Sequence, residues 1–237
     1  MARGAQPWAC SSLELTHPPL RLTKGCASLP SGKAAAMTEG TPAGARERIL
    51  DAAYELFSRQ GIGAVGVDTI IARAGTAKMS LYRHFRSKEK LVLAFLERRE
   101  RLWTFAWLQA EVTARAGDPV ARLLTIFDVF DEWFRTPGFE GCSFINVLLE
   151  STQESTVHQA AAAHLAEIRK IVADLATEAR LADPAGFARA WHLLMKGCII
   201  AAQEGHREAA VDAKQAGKLI LQGWPRQTRP RASSSSR

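Results

Sequence analysis

Residues 76–88 have the sequence TAKMSLYRHFRSK, and their pattern of apolar and basic side chains decides the fold. Leu81 and Phe85 are four residues apart, so they share one face of a short helix that we predict from about Ala77 to His84. Hydrogen-bond donors lie on or beside the opposite face: Lys78, Ser80, Tyr82, Arg83, His84 and Lys88. Because basic faces are common on solvated helices, this helix alone fits an ordinary surface helix as well as a contact with nucleic acid.

The residues before this helix predict a helix-turn-helix. A first helix begins at Ala45, has apolar residues at spacings of three and four, and stops at Gly61. A second helix over residues 67–74 ends at Gly75. Only the turn at Gly75 and Thr76 separates it from the third helix, which is the usual connection in a helix-turn-helix. In such a unit the later helix lies in the major groove, and its first residues reach base edges.

The chain beyond these helices is also predicted to be helical, which makes the fold class all-α. A fourth helix begins near Ser87, and Asp118 and Asp183, each followed by proline, begin two more. An apolar seam over residues 161–179 needs a partner helix. With the helix over residues 187–201, we expect it to form a four-helix bundle with the same pair of a second subunit, burying Trp191.

The composition agrees with a nucleic-acid-binding helical protein and argues against a membrane protein or a metal-binding protein. The chain has 237 residues and a net charge of +7, with the basic excess in the first hundred residues and the last dozen. A basic N-terminal half joined to a mildly acidic body is typical of a polyanion-binding module attached to another domain. No apolar run is long enough for a membrane helix. The four cysteines form no CxxC pair, so we expect no metal, no cofactor and a reducing, cytoplasmic location.

Enzymatic alternatives find little support in the motifs. Residues 61–66 fit the spacing GxGxxG, but the dinucleotide-binding site that uses this spacing needs a preceding strand, whereas a helix precedes it here. No catalytic spacing such as GxSxG or HExxH occurs. We therefore do not expect an enzyme. The alternative that stays open is a helical enzyme or small-molecule-binding protein that uses the aromatic C-terminal half.

The chain divides into four predicted segments. Residues 1–36 are expected to be a disordered N-terminal extension, because proline and serine interrupt them and Met37 offers a second start. Residues 37–90 form the helix-turn-helix domain, and residues 91–225 form a helical domain for ligand binding and dimerisation. Residues 226–237 are expected to be a disordered basic tail.

Residues 45–95 resemble the DNA-binding domain of the TetR (tetracycline repressor) family of bacterial regulators. The resemblance rests on the apolar residues of the first helix, on the turn at Ala74 and Gly75, and on the spacing Leu81-Tyr82-x-x-Phe85-x-x-Lys88. It implies a homodimer that binds palindromic double-stranded operator DNA, is released by a small-molecule effector, and acts as a repressor.

The resemblance also implies roles for individual residues. Lys78, Met79 and Ser80 fall where the family reads bases. The full DNA-binding set is Gly66, Thr76, Ala77, Lys78, Met79, Ser80, Tyr82, Arg83, His84 and Lys88, of which Tyr82, His84 and Lys88 fall at phosphate contacts.

The residues at two helix N-cap positions depart from the family pattern. Gly66 and Ala77 stand where the family has capping hydroxyls, and we expect Thr76 to replace the missing cap. Asp68 stands where a basic residue can assist binding, and its charge would oppose that of DNA.

Aromatic residues of the C-terminal half are the candidates for an effector cavity, with an apolar or aromatic effector expected. The candidates are Trp103, Trp107, Phe127, Phe130, Phe134, Phe144 and Trp191.

Overall fold

A computed structural model describes residues 44–227, and these residues form helices with no β-strand, which confirms the all-α fold class. The helices are α1 (Ala45–Ala64), α2 (Val67–Ala74), α3 (Lys78–Phe85), α4 (Lys88–Arg99), a π-helical segment (Glu100–Gln109), α5 (Ala110–Arg115), α6 (Pro119–Phe134), α7 (Ser143–Glu150), α8 (Thr156–Glu178), α9 (Pro184–Gln203) and α10 (Ala209–Gly223). None of them is long and apolar enough to cross a membrane.

Helix starts follow the predicted capping residues. The side chains of Ser87, Asp118 and Asp183 each accept a hydrogen bond from a backbone N–H in the first turn of α4, α6 and α9. Such caps satisfy N–H groups that have no partner within the helix. These three predictions are confirmed.

Two glycines end helices where the sequence predicts it. Gly61 interrupts α1 with a φ of +78°, and Gly75 follows α2 with a φ of +58°. Residues with a Cβ rarely adopt these conformations. A helical turn of residues 62–64 follows Gly61 and ends α1, so residues 61–66 follow a helix and not a strand.

The helix-turn-helix is built on a small apolar core. α1 packs against α2, α3 and α4. Ile49, Ile70, Leu81 and Phe95 supply its fully buried side chains. The predicted three-helix arrangement is therefore present, with α4 leading from it into the C-terminal helices.

The π-helical segment is a feature that the sequence did not predict. It continues α4 into α5 without a turn, and it buries Trp103, Thr104 and Leu108. The Thr104 hydroxyl is buried and has no hydrogen-bond partner in the structure. Because a π-helix has a wider turn than the α-helix, apolar spacing read at 3.6 residues per turn does not reveal it.

The α8 seam packs against helices of its own chain. Its residues are buried within a single chain, where α8 packs against α9, α6, α7 and α4. Trp191 of α9 is fully buried in the same core. The seam thus packs on helices of its own chain, and the four-helix bundle with a second subunit stays a prediction.

The predicted disordered ends fall largely outside the described residues. Residues 1–36 lie wholly outside them, and so does the tail from residue 228 onward. Arg226 and Gln227, which were assigned to the tail, instead hydrogen-bond the carbonyls of Ala179, Arg180 and Leu181.

Candidate nucleic-acid interface

The inner face of α3 anchors the helix to the domain. Leu81 and Phe85 are buried, and the guanidinium of Arg46 lies over the Phe85 ring, 5.2 Å from its centroid. The backbone N–H of Thr76 donates to the carbonyl of Ile71, which closes the turn after α2. This anchoring gives α3 a defined orientation on the surface of the domain.

The outer face of α3 presents the predicted contact residues. Met79 is 71% exposed and Tyr82 is 40% exposed, which is unusual for large apolar side chains. The other exposed members of the predicted set are Gly66, Ala77, Lys78, Arg83 and His84, while Thr76, Ser80 and Lys88 are half-buried. The structure therefore brings the predicted set to α3 and the ends of the adjoining helices, and its role in DNA binding stays a prediction.

Neither α2 nor α3 has a side-chain cap. Gly66 and Ala77 occupy the cap positions and make no such hydrogen bond. The Thr76 hydroxyl oxygen is buried and has no partner in the structure, so the prediction that Thr76 replaces the missing cap is wrong. The first N–H groups of both helices remain available to a ligand with acceptor oxygens.

An ion pair joins the starts of α2 and α3. Lys78 Nζ lies 3.0 Å from Asp68 Oδ1, and the two side chains are 53% and 79% exposed. This hydrogen bond raises the pKa of Lys78, so the ammonium stays charged. The sequence indicated that Asp68 opposes DNA, but not that it pairs with Lys78, because their separation of ten residues spans a turn.

Three other cationic side chains on or next to α3 form no ion pair with a carboxylate of the described residues. Within residues 44–227, Arg83, Arg86 and Lys88 have no carboxylate partner, whereas Arg73 of α2 is paired with Glu55 at 2.6 Å. The surface formed by α3 and the turn after it therefore carries net positive charge. Such a surface attracts a polyanion.

The seven aromatic residues expected to bind an effector lie mainly in packed clusters. Four of them contact one another and two further aromatic side chains: Trp103, Trp107, Phe130, Phe134, Trp133 and Phe139. Phe127 packs on Trp191 with ring centroids 5.3 Å apart, and Phe144 lies 5.2 Å from the His164 ring. Phe127 also lines an open groove between α6 and α10. Their role in effector binding stays a prediction.

A cavity of about 200 Å³ lies among α5, α6 and α8. Its apolar lining consists of Leu108, Val112, Ile126, Ile168, Ile171, Val172, Leu175 and Met195. Arg122 and Glu178, 3.6 Å apart, lie on its polar side together with Asp174. None of the seven predicted aromatic residues lines this cavity. Sequence spacing missed it because its lining comes from five helical segments.

Comparison with known proteins finds a family that the helix-turn-helix matches. Residues 49–95 match the family of bacterial regulatory proteins called the tetR family. An uncharacterized HTH-type transcriptional regulator from Mycobacterium tuberculosis is 36% identical over 83 residues, which are 34% of this chain and 39% of that protein. The HTH-type transcriptional activator FasR of Mycolicibacterium smegmatis is 49% identical over 53 residues, which are 22% of this chain and 24% of that protein. The matches to these curated relatives thus span well under half of their length.

A solved structure extends the likeness to the C-terminal helices. A TetR-family transcriptional regulator from Streptomyces coelicolor is 28% identical, with a TM-score of 0.67, and the match covers 75% of this chain and 94% of that one. The match therefore includes both the helix-turn-helix and most of the helices that follow it. The helix-turn-helix of this chain therefore matches the tetR family of bacterial regulatory proteins, and its described helices share the fold of a TetR-family regulator.

Proposed function

We propose that this chain is a cytoplasmic transcriptional regulator that represses genes by binding near-palindromic operator DNA as a homodimer. The observation that carries the proposal is the outer face of α3, where exposed donors and uncompensated cations surround a helix anchored by Leu81 and Phe85. A helix presented in this way fits the major groove of B-DNA.

Contacts with DNA divide by their place on α3. Lys78, Met79 and Ser80 lie in the first turn, from which side chains reach base edges. Tyr82 lies further along α3 and Lys88 begins α4, and both serve phosphate oxygens. The uncapped N–H groups at the starts of α2 and α3 are suited to the same phosphates.

The dimer interface that the structure favours is the outer surface of α9 and α10. Leu193 of α9 is 66% exposed and Leu219 of α10 is 69% exposed, and Ile200 and Val211 lie on the same two helices. Gly197, one turn from Leu193, has open space where a Cβ would stand, so another helix could approach closely. Apolar residues left exposed on neighbouring helices are typical of an isologous interface.

The effector site that the structure favours is the cavity among α5, α6 and α8. At about 200 Å³ it lies below the range of about 300–1,000 Å³ that holds drug-sized molecules, so it suits a small and mainly apolar effector. Leu108, which lines it, belongs to the helical segment that continues α4 away from the DNA-binding helices. A ligand in the cavity therefore touches the same continuous helix that packs on α1.

Retardation of DNA from the region upstream of the protein's own gene tests the proposal. We expect a specific complex at moderate salt that a scrambled duplex of equal composition does not compete away. A double variant of α3 and the start of α4, Arg83→Ala with Lys88→Ala, should lose the complex. Arg189→Ala with Lys170→Ala removes two cations from the C-terminal helices and should keep it. Equal binding of the upstream and scrambled duplexes, or no binding of either, would refute the proposed function.

A further inference from the structure

We propose that Asp68 is a specificity-determining residue, which acts by positioning Lys78 and by opposing DNA of any sequence. This inference rests on the proposed function. It assigns a role in recognition to an acidic residue on a surface that otherwise attracts DNA.

The geometry places the acidic group where DNA would lie. Asp68 is in the first turn of α2 and Lys78 is the first residue of α3, and their side chains meet at 3.0 Å. The carboxylate is 79% exposed. The Asp68 carboxylate therefore faces the same solvent region as the uncapped N-termini of α2 and α3, which are suited to binding phosphate.

The pair restricts where the Lys78 ammonium can act. A lysine ammonium has three donors, and the hydrogen bond to Asp68 uses one of them. The remaining two can reach the O6 and N7 acceptors of a guanine while the pair stays intact. A free Lys78 would swing on its flexible stem to any nearby phosphate. Asp68 thus favours contact with a base over contact with the backbone.

The same carboxylate lowers the affinity for DNA of every sequence. Its charge repels phosphates of operator and random DNA alike, so the preference for the operator comes from the base contact of Lys78 that the pair favours. Arg83, Arg86 and Lys88 are without carboxylate partners in the described residues, so Lys78 differs from the other cations near α3.

Asp68 contributes little to the stability of the fold. The structure shows no hydrogen bond from a backbone N–H to its carboxylate, and the pair with Lys78 is exposed on both sides. Exposed ion pairs contribute little to folding stability. The effect of the residue should therefore appear in DNA binding rather than in the melting temperature.

The substitution Asp68→Asn tests the inference, because it removes the charge and keeps the size. Asp131→Asn is the matched control, since Asp131 pairs with Arg135 at 2.8 Å on α6, outside the helix-turn-helix. Affinity for the operator and for random-sequence duplex is measured for each protein at 50 and 200 mM salt without effector. The expected ratio of operator to random affinity falls by about fivefold or more in Asp68→Asn and is unchanged in the control.

Salt dependence separates charge from folding. In Asp68→Asn one more cation, Lys78, is free to contact phosphate. Between 50 and 200 mM salt, the affinity of this variant for random DNA should therefore fall by an additional factor of about 3 to 4 compared with wild type. In a Lys78→Ala background, Asp68→Asn should no longer change the operator preference.

Three results would overturn the inference: an unchanged specificity ratio, an equal loss of affinity for both duplexes with a lowered melting temperature, or the same effect of Asp68→Asn without Lys78. A wild-type protein that prefers no DNA sequence would instead reject the proposed function itself.

Discussion

The carboxylate of Glu150 accepts a hydrogen bond of 2.7 Å from the backbone N–H of Gly63. Glu150 ends α7, whereas Gly63 lies in the last turn of α1, just before α2, so this bond joins the C-terminal helices to the helix-turn-helix. Gly61 permits the approach, because a Cβ at that position would meet the same carboxylate. The start of α2 therefore depends on the position of α7.

Replacing Glu150 by alanine should loosen the turn before α2. A hydrogen bond to a carboxylate is lost, and we expect the free energy of unfolding to fall by about 1 kcal/mol. Hydrogen exchange of the Gly63 amide should become faster. Glu154→Ala is the control, since Glu154 is also exposed but makes no such bond. Equal protection of Gly63 in wild type and Glu150→Ala would show that the bond does not hold the turn.

Gly61→Ala should destabilise the protein more than an alanine at an ordinary loop glycine. Gly61 has φ and ψ of +78° and 165°, a region that residues with a Cβ avoid at a cost of about 1–3 kcal/mol. Gly117→Ala, which has open space around the new methyl group, should be nearly neutral. Chemical denaturation measures both variants, and similar stabilities for the two would contradict the assignment of strain to Gly61.

Leu193→Asp should split the dimer. A charge at this position would be buried without a partner in the proposed interface, which costs about 3–5 kcal/mol. Leu149→Asp is matched to it, because Leu149 is 75% exposed but belongs to α7. Sedimentation at micromolar concentration should show a dimer for wild type and Leu149→Asp and a monomer for Leu193→Asp. A monomeric wild-type protein would contradict the proposed dimer interface.

His192 should make the protein less stable in mild acid. Burial lowers the pKa of His192 from 6.5 to about 3, so the imidazole is neutral in the folded chain. The unfolded chain binds a proton below about pH 6.5, so the contribution of His192 to stability is complete above that pH. It falls by about 1.4 kcal/mol per pH unit as the pH drops from about 6.5 towards 3.

The variant His192→Gln removes this titration. The stability difference between wild type and His192→Gln should shift by about 2 kcal/mol between pH 7 and pH 5, measured by chemical denaturation. A difference from His192→Gln that is the same at both pH values would contradict the buried, neutral state.

Local signals predicted the DNA-binding half of the chain well. The spacing of Leu81 and Phe85, the glycine at position 75 and the cap at Ser87 each act within a few residues, so the sequence reveals them. The pairing of Asp68 with Lys78 and of Glu150 with Gly63 depends on how helices meet. These contacts therefore required the structure.

The C-terminal half shows the limit of sequence patterns more clearly. The seam from Ala161 to Ala179 indicates that α8 needs a partner, but the pattern is the same whether the partner is α9 of its own chain or a second subunit. Aromatic residues such as Trp103 and Phe130 fill a core as readily as they line a cavity. The cavity is instead lined largely by aliphatic residues such as Val112 and Ile168.

The salt dependence of operator binding tests the account of α3 most directly. Affinity for the operator is measured over a series of salt concentrations for wild type, Ser80→Ala and the triple variant Lys78→Ala, Tyr82→Phe, Lys88→Ala. We expect the slope of log affinity against log salt to fall by about one unit or more in the triple variant, because at least one phosphate contact is lost, and to stay unchanged in Ser80→Ala. A folded triple variant that binds its operator with the affinity and slope of wild type would contradict the account.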